Sequence, residues 1–145
     1  MSDYKHILCA VDLNNDSLPV AARAAELAKL YHAQLSLLHV VEYIPIDLAN
    51  ELVLPQQQEI EQQLVAQSKA HLASLAKNIE AEQLREAVVQ GSTKSEIIEY
   101  SRDHQVDLIV LGRHGRHGLS RLLGSVANAV LHHAECDVLA VRVGA

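Results

Sequence analysis

The residues with the most chemical promise lie close together: Gly112, Gly115 and Gly118, interleaved with Arg113, His114, Arg116 and His117. Glycines without side chains let backbone N–H groups come close to an anion, and arginines nearby can offset its charge. The chemistry implied is phosphate binding. The same spacing also suits a plain turn with solvated arginines, and both readings stand on the glycines alone. Two familiar nucleotide fingerprints are excluded. No Gly-Lys-Ser/Thr follows, which removes a P-loop, and Gly112-x-x-Gly115-x-x-Gly118 lacks the dinucleotide-binding spacing.

The flanks of this turn tell what must position it. Leu108 to Leu111 is a short continuous apolar run, as in a strand covered on both faces. After the turn, Leu119, Leu122, Leu123, Val126, Ala127, Val130 and Leu131 fall at three- and four-residue steps, the period of a helix. A glycine-rich strand-to-helix turn brings an anion to the positive end of a helix dipole.

Elsewhere the chain repeats this alternation. His6 to Val11 is a buried-strand run ending at Asp12, where ligands gather in open parallel sheets. Asp12, Asn14, Asn15 and Asp16 are also good loop and cap residues, so Asp12 keeps a structural reading beside the functional one. Asp16 or Ser17 is expected to cap a helix with Pro19 in its first turn and Val20, Ala24, Leu27, Ala28 and Tyr31 inward. Leu35 to Val41 reads as a second strand. His39 within it fits a packed, hydrogen-bonded structural histidine better than a ligand.

Residues 42–54 are irregular and predict a loop, with a short helical turn near 47–52. Residues 56–82 carry the longest helical pattern, striped by Ile60, Leu64, Leu72, Leu75 and Ile79, too short and uneven for a coiled coil. Leu84 to Gln90 predicts a third strand ending at Gly91. Thr93-x-x-Glu96 is a capping-box signature for a helix that turns Ile97, Ile98 and Ser101 inward. Asp137 to Val143 predicts a fifth strand. Strand and helix thus alternate without an internal repeat, which predicts an α/β, three-layer fold: a parallel sheet with helices on both faces. The last strand has no helix after it and is expected at an edge, where a second copy could pair with it.

Composition sets outer limits. With 145 residues, 49% hydrophobic and 21% charged, the chain is expected to form a single domain spanning 1–145. Aromatics are 3%, without Phe or Trp, which suits small helix faces on aliphatic strands and not a base-stacking platform. A net charge of −6 argues against a nucleic-acid partner. Cys9 and Cys136 each sit in an apolar stretch and are expected as buried free thiols. No apolar run approaches membrane-spanning length and no signal sequence is evident, so a cytoplasmic protein without a membrane partner is expected.

Set together, these features resemble the universal stress protein family over essentially the whole length. The carrying residues are Lys5-His-Ile-Leu-Cys-Ala-Val-Asp12, Leu37-Leu-His-Val40, Gly91, Asp107-Leu-Ile-Val-Leu-Gly-Arg-His-Gly115 and Gly124-Ser125. The resemblance implies a five-stranded parallel sheet of order 3-2-1-4-5, similar to adenine-nucleotide-binding domains. It also implies a homodimer, formed through the last strand Val138–Val143.

The family has members that bind ATP and members that do not. By position, the binders' pattern implies Asp12 and Val40 at the adenine, with Ala10 and Val11 nearby. Gly112 falls near the ribose, and Gly115, Gly124, Ser125 and Val126 at the phosphates, with Arg113 and Arg116 to offset charge. The implied ligand is ATP or another adenine nucleotide, with or without Mg²⁺, and no structural metal.

One departure matters. Eight residues separate Gly115 from Gly124, where the binders' pattern has nine. If the missing residue falls inside a continuous helix, Gly124 and Ser125 rotate by ~100°. If it falls in the turn near Gly118, the loop absorbs it, and the retained glycines favour this outcome. The expected function is therefore a dimeric, nucleotide-dependent stress-response regulator. The alternative is a dimeric regulator that binds no nucleotide and acts through protein contacts. Catalysis has little support, since neither a carboxylate cluster for Mg²⁺ nor an activated nucleophile is evident; slow ATP hydrolysis is the most that is expected. His114, His117, His132 and His133 fit turn and helix-end positions better than a metal site.

Overall fold

The computed structural model describes residues 3–42, 54–113 and 124–143. Five strands and four helices alternate: β1 (His6–Ala10), α1 (Ser17–Tyr31), β2 (Gln34–Val41), α2 (Leu54–Ala76), β3 (Gln83–Gln90), α3 (Thr93–Asp103), β4 (Leu108–Gly112), α4 (Ser125–His133) and β5 (Asp137–Val141). The strands form one sheet in the order β3-β2-β1-β4-β5, and every pairing is parallel. The expected order is therefore observed, with β5 at an edge. The order reverses between β1 and β4, and that break opens a crevice at the carboxyl ends of the strands.

Alternation along β1 explains why its run is apolar throughout. Ile7 and Cys9 join Leu35, Leu37 and Val110 in one core layer, beneath Val20 and Ala24 of α1 and Leu72 of α2. Leu8 joins Leu38 and Ile109 in the other, against Ile97 of α3 and Val130 of α4. Both faces are thus dry, and each fully buried Leu or Ile stabilises the fold by about 1.5–3 kcal/mol. Ala-rich α1 lets its backbone lie close to the sheet, a packing that the shortage of aromatics required.

Several local expectations change. α2 ends at Ala76 rather than 82, though Ile79 still packs against the core from the following turn. Its stripe splits: Leu72 is fully buried, whereas Ile60 is 49% exposed. A helix of 23 residues spans ~34 Å and an eight-residue strand such as β3 ~26 Å, so α2 overhangs the sheet. Gln90 at the end of β3 donates to Glu61, which ties the two elements together near that overhang. Thr93 is not a cap: Ser92 holds the N-cap position, without a side-chain hydrogen bond. Asp16 is the N-cap of α1, likewise without a side-chain bond. Cys9 is buried as expected, but Cys136 is only half-buried; both are free thiols. The helical turn expected near 47–52 lies outside the described residues, as do Leu119, Leu122 and Leu123.

At the opposite edge of the sheet from the crevice, polar groups fasten the strand starts. Asp107 Oδ2 accepts from the backbone N–H groups of Lys5 at 2.8 Å and His6 at 2.9 Å. Tyr4 Oη donates to Asp137 Oδ2 at 2.7 Å, and its ring meets Tyr31 edge-on. These bonds set β1, β4 and β5 level with one another, and hence set the heights of their far ends.

Candidate functional site

Those far ends frame a cleft of about 270 Å³. This is near the lower end of small-molecule pockets, which run roughly 300–1,000 Å³. Its floor is the carboxyl edge of the sheet, with Ala10, Val11, Val40 and Gly112 among its residues. Ser17, Thr93 and Ser125, the first residues of α1, α3 and α4, also line it. Three helix N-termini therefore converge on one space, and each carries backbone N–H groups and partial positive charge.

Acidic side chains oppose that charge. Asp12, Asp16 and Glu42 all line the cleft. Asp12 is followed by Leu13 with φ 64°. An L-residue in this left-handed region costs roughly 1–2 kcal/mol, and the Leu13 side chain packs against the core layer of α1. The chain thus turns sharply just after Asp12, and packing of Leu13 holds the turn. His39 Nδ1 lies 2.8 Å from the carbonyl oxygen of Val11. A carbonyl only accepts, so that nitrogen carries the proton. This is the structural bond expected for His39, but the residue also lines the cleft.

The glycine-rich turn is anchored at both described ends. Arg113 N–H donates to the Val141 carbonyl at 2.8 Å, and Gly124 N–H donates to the Arg113 carbonyl at 2.9 Å. Gly124 is the N-cap of α4, in extended conformation, and Ser125 is its first helical residue. The spacer lies ahead of α4 in the chain, since that helix begins at Ser125. Gly124 and Ser125 occupy N-terminal positions of α4, from which backbone N–H groups can meet an anion.

Of the site residues expected from sequence, Ala10, Val11, Asp12, Val40, Gly112, Gly124, Ser125 and Val126 come together in this cleft. The described lining does not include Arg113, although it adjoins Gly112. Gly115 and Arg116 lie outside the described residues. Sequence reasoning missed Ser17, Glu42 and Thr93 as cleft residues. Their signal was positional, because each stands where a strand ends or a helix begins on the ligand edge. Among the described residues, no group of three or more His, Cys, Asp or Glu side chains could hold a metal ion.

Comparison with known proteins agrees with this fold. The model of the universal stress protein family matches residues 3–142. The chain belongs to that family. A similar relative is universal stress protein A homolog 1 of Coxiella burnetii (strain RSA 493 / Nine Mile phase I), 42% identical across 95% of this chain and 96% of the relative. Among solved structures, universal stress protein UspA from Lactobacillus plantarum is 27% identical with a TM-score of 0.84, covering 98% of this chain and 100% of that one. A universal stress protein solved in complex with cAMP is 26% identical with a TM-score of 0.73, covering 97% and 98%. The universal stress protein fold thus accommodates an adenine nucleotide in at least one relative of this kind. No helix among the described residues is long and apolar enough to cross a membrane.

Proposed function

We propose that this universal stress protein binds an adenine nucleotide in the cleft and acts as a nucleotide-dependent regulator in the cytoplasm. The observation that carries the reading is the convergence of Asp12 and Val40 with Gly112, Gly124 and Ser125 at the point where strand order reverses. The cAMP complex of a structural relative supports it. In this reading Val11, Val40 and Ala10 flank the base, and Asp12 receives hydrogen bonds from base or ribose. Backbone N–H groups at Gly124, Ser125 and Val126 hold phosphate oxygens, joined by those at Gly115. Arg113 and Arg116 offset phosphate charge, and Mg²⁺ accompanies the longer phosphate chains.

Calorimetric titration of nucleotide-stripped protein with ATP, ADP and AMP, with and without Mg²⁺, tests the reading. Micromolar binding is expected, weakened about fivefold or more by Ser125→Ala and further by Gly115→Val. Unchanged affinity in both variants would remove the phosphate assignment.

The eight-residue spacer favours a second reading, a regulator that binds no nucleotide and works through protein contacts. Absence of heat and of any thermal shift at millimolar nucleotide selects it. Both readings use a homodimer formed along β5. Its edge position and Leu139, 36% exposed, support that surface. Leu139→Arg is expected to convert a dimer to a monomer in light scattering; an unchanged mass would move the interface elsewhere.

A further inference from the structure

The pairing of β1 with β2 stops at Ala10, although Val11 still lies beside β2. Val11 N–H donates to the Leu38 carbonyl at 2.9 Å, the bond that closes the pair of Ala10 with Leu38. In a parallel ladder the next bond would run from the Val40 N–H to the Val11 carbonyl. That bond is not formed. The Val11 carbonyl takes the Nδ1–H of His39 instead, at 2.8 Å. A buried imidazole thus stands in for a backbone donor.

Strand geometry shows what this exchange leaves behind. Backbone groups along a strand face its two neighbours in alternation. Leu38 turns its carbonyl to β1, whereas Val41 turns its carbonyl to β3, where Gly91 N–H donates to it at 3.0 Å. Val40, two residues beyond Leu38, therefore turns its N–H toward β1. It is a buried residue, and it lines the cleft together with Val11 and His39. Among the described residues, no backbone carbonyl accepts from that N–H. Buried backbone donors are nearly always satisfied, so one released from its ladder at a cleft wall calls for an acceptor on a ligand.

We propose that His39 is a positioning residue for ligand binding: by holding the Val11 carbonyl on its ring, it keeps the Val40 N–H out of the ladder and turned to an acceptor atom of the bound nucleotide. This rests on the nucleotide reading above and adds the side chain that prepares one of its donors. His39 acts through Val11 and Val40. Without the imidazole, those two backbone groups close on each other and the ladder grows at the expense of the site.

Two variants separate this bond from packing. His39→Leu fills the space and lacks the donor, whereas His39→Asn carries an amide N–H near the place of Nδ1. Two readouts are compared with wild type: calorimetric affinity for ATP, and hydrogen exchange of the Val40 amide in ligand-free protein. His39→Leu should weaken ATP binding about five- to tenfold. It should also slow exchange at Val40 about tenfold or more, as that N–H joins the ladder. His39→Asn should stay within about twofold of wild type in both. Unchanged ATP affinity in His39→Leu overturns the proposal and leaves the nucleotide reading intact. Unchanged or faster exchange at Val40 in that variant overturns it too, since His39 then does not hold the N–H out of the ladder. Equal losses of affinity in the two variants also overturn it, because packing alone would account for them. Failure of wild type to bind ATP at millimolar concentration overturns both readings.

Discussion

Thr93 Oγ1 donates to Glu42 Oε1 over 2.8 Å, joining the first residue of α3 to the residue just past β2. The bond holds a carboxylate at the rim of the cleft, where Asp12 and Asp16 already place negative charge. In the proposed nucleotide reading, phosphates bind against that field. Glu42→Gln keeps an acceptor for Thr93 and removes only the charge. It should raise affinity for ATP about two- to fivefold at low salt, equivalent to ~0.5–1 kcal/mol at a partly exposed site. The gain should fade toward 0.5 M salt, where the screening length is only a few ångströms. A gain that persisted in high salt would point to altered packing rather than charge.

That bond also explains a misreading. Thr93-x-x-Glu96 fits a capping box, but the cap position belongs to Ser92, and Thr93 turns to a partner 51 positions away. Local spacing cannot register such a competitor. The strands were legible because parallel packing buries nearly every residue of β1, β2 and β4 and makes most of them apolar. Asp12, Val40, Gly112 and Ser125 were legible because strand ends and helix starts are marked in sequence. Ser17 was not, since its burial exists only once α1 docks. The exposure of Ile60 was hidden for a similar reason: periodicity reports which face is apolar, not whether the sheet reaches it.

Inside the sheet, His6 Nδ1 lies 3.0 Å from the His104 carbonyl and Nε2 lies 2.7 Å from Ser36 Oγ. The carbonyl requires a proton on Nδ1, so Nε2 accepts from the Ser36 hydroxyl. Ser36 is fully buried. Ser36→Ala leaves the imidazole lone pair without a donor and should cost about 1–3 kcal/mol in urea denaturation. The double variant His6→Leu/Ser36→Ala should be less destabilised than the sum of its singles, because it removes both polar partners. Additive losses would mean that the two groups do not depend on each other.

The contact between Tyr4 and Asp137 gives a pH signature. Its hydrogen bond to the carboxylate, with smaller effects of burial and nearby acidic charge, pushes the Tyr4 phenol from 10.0 up to about 12. A phenol held protonated in the folded state stabilises it fully below the unfolded value near 10. That contribution disappears as pH rises through about 12. The pair is largely solvent-exposed, so its worth is only ~0.5 kcal/mol. Tyr4→Phe should therefore lower the denaturation midpoint by a constant small amount from pH 7 to 9, and the difference should shrink above pH 10. A gap that widened with pH would contradict the assignment.

The two thiols should part company in reactivity. Cys9 is fully buried in β1, and burial pushes its thiol up to about 12. Thiolate is the reacting species, so Cys9 should be inert while the fold is intact. Cys136 is half-buried, and burial, then the charges of Asp137 and Asp107, raise its thiol from 9.0. Titration with Ellman's reagent at pH 8 should therefore find one slow thiol in native protein and two in denaturant. Cys136→Ser should abolish the native reaction and cost about 1 kcal/mol, because the half-buried sulfur packs against the second core layer. A native signal that survives in Cys136→Ser would show that β1 opens to solvent, and would undo the account of a sheet covered on both faces.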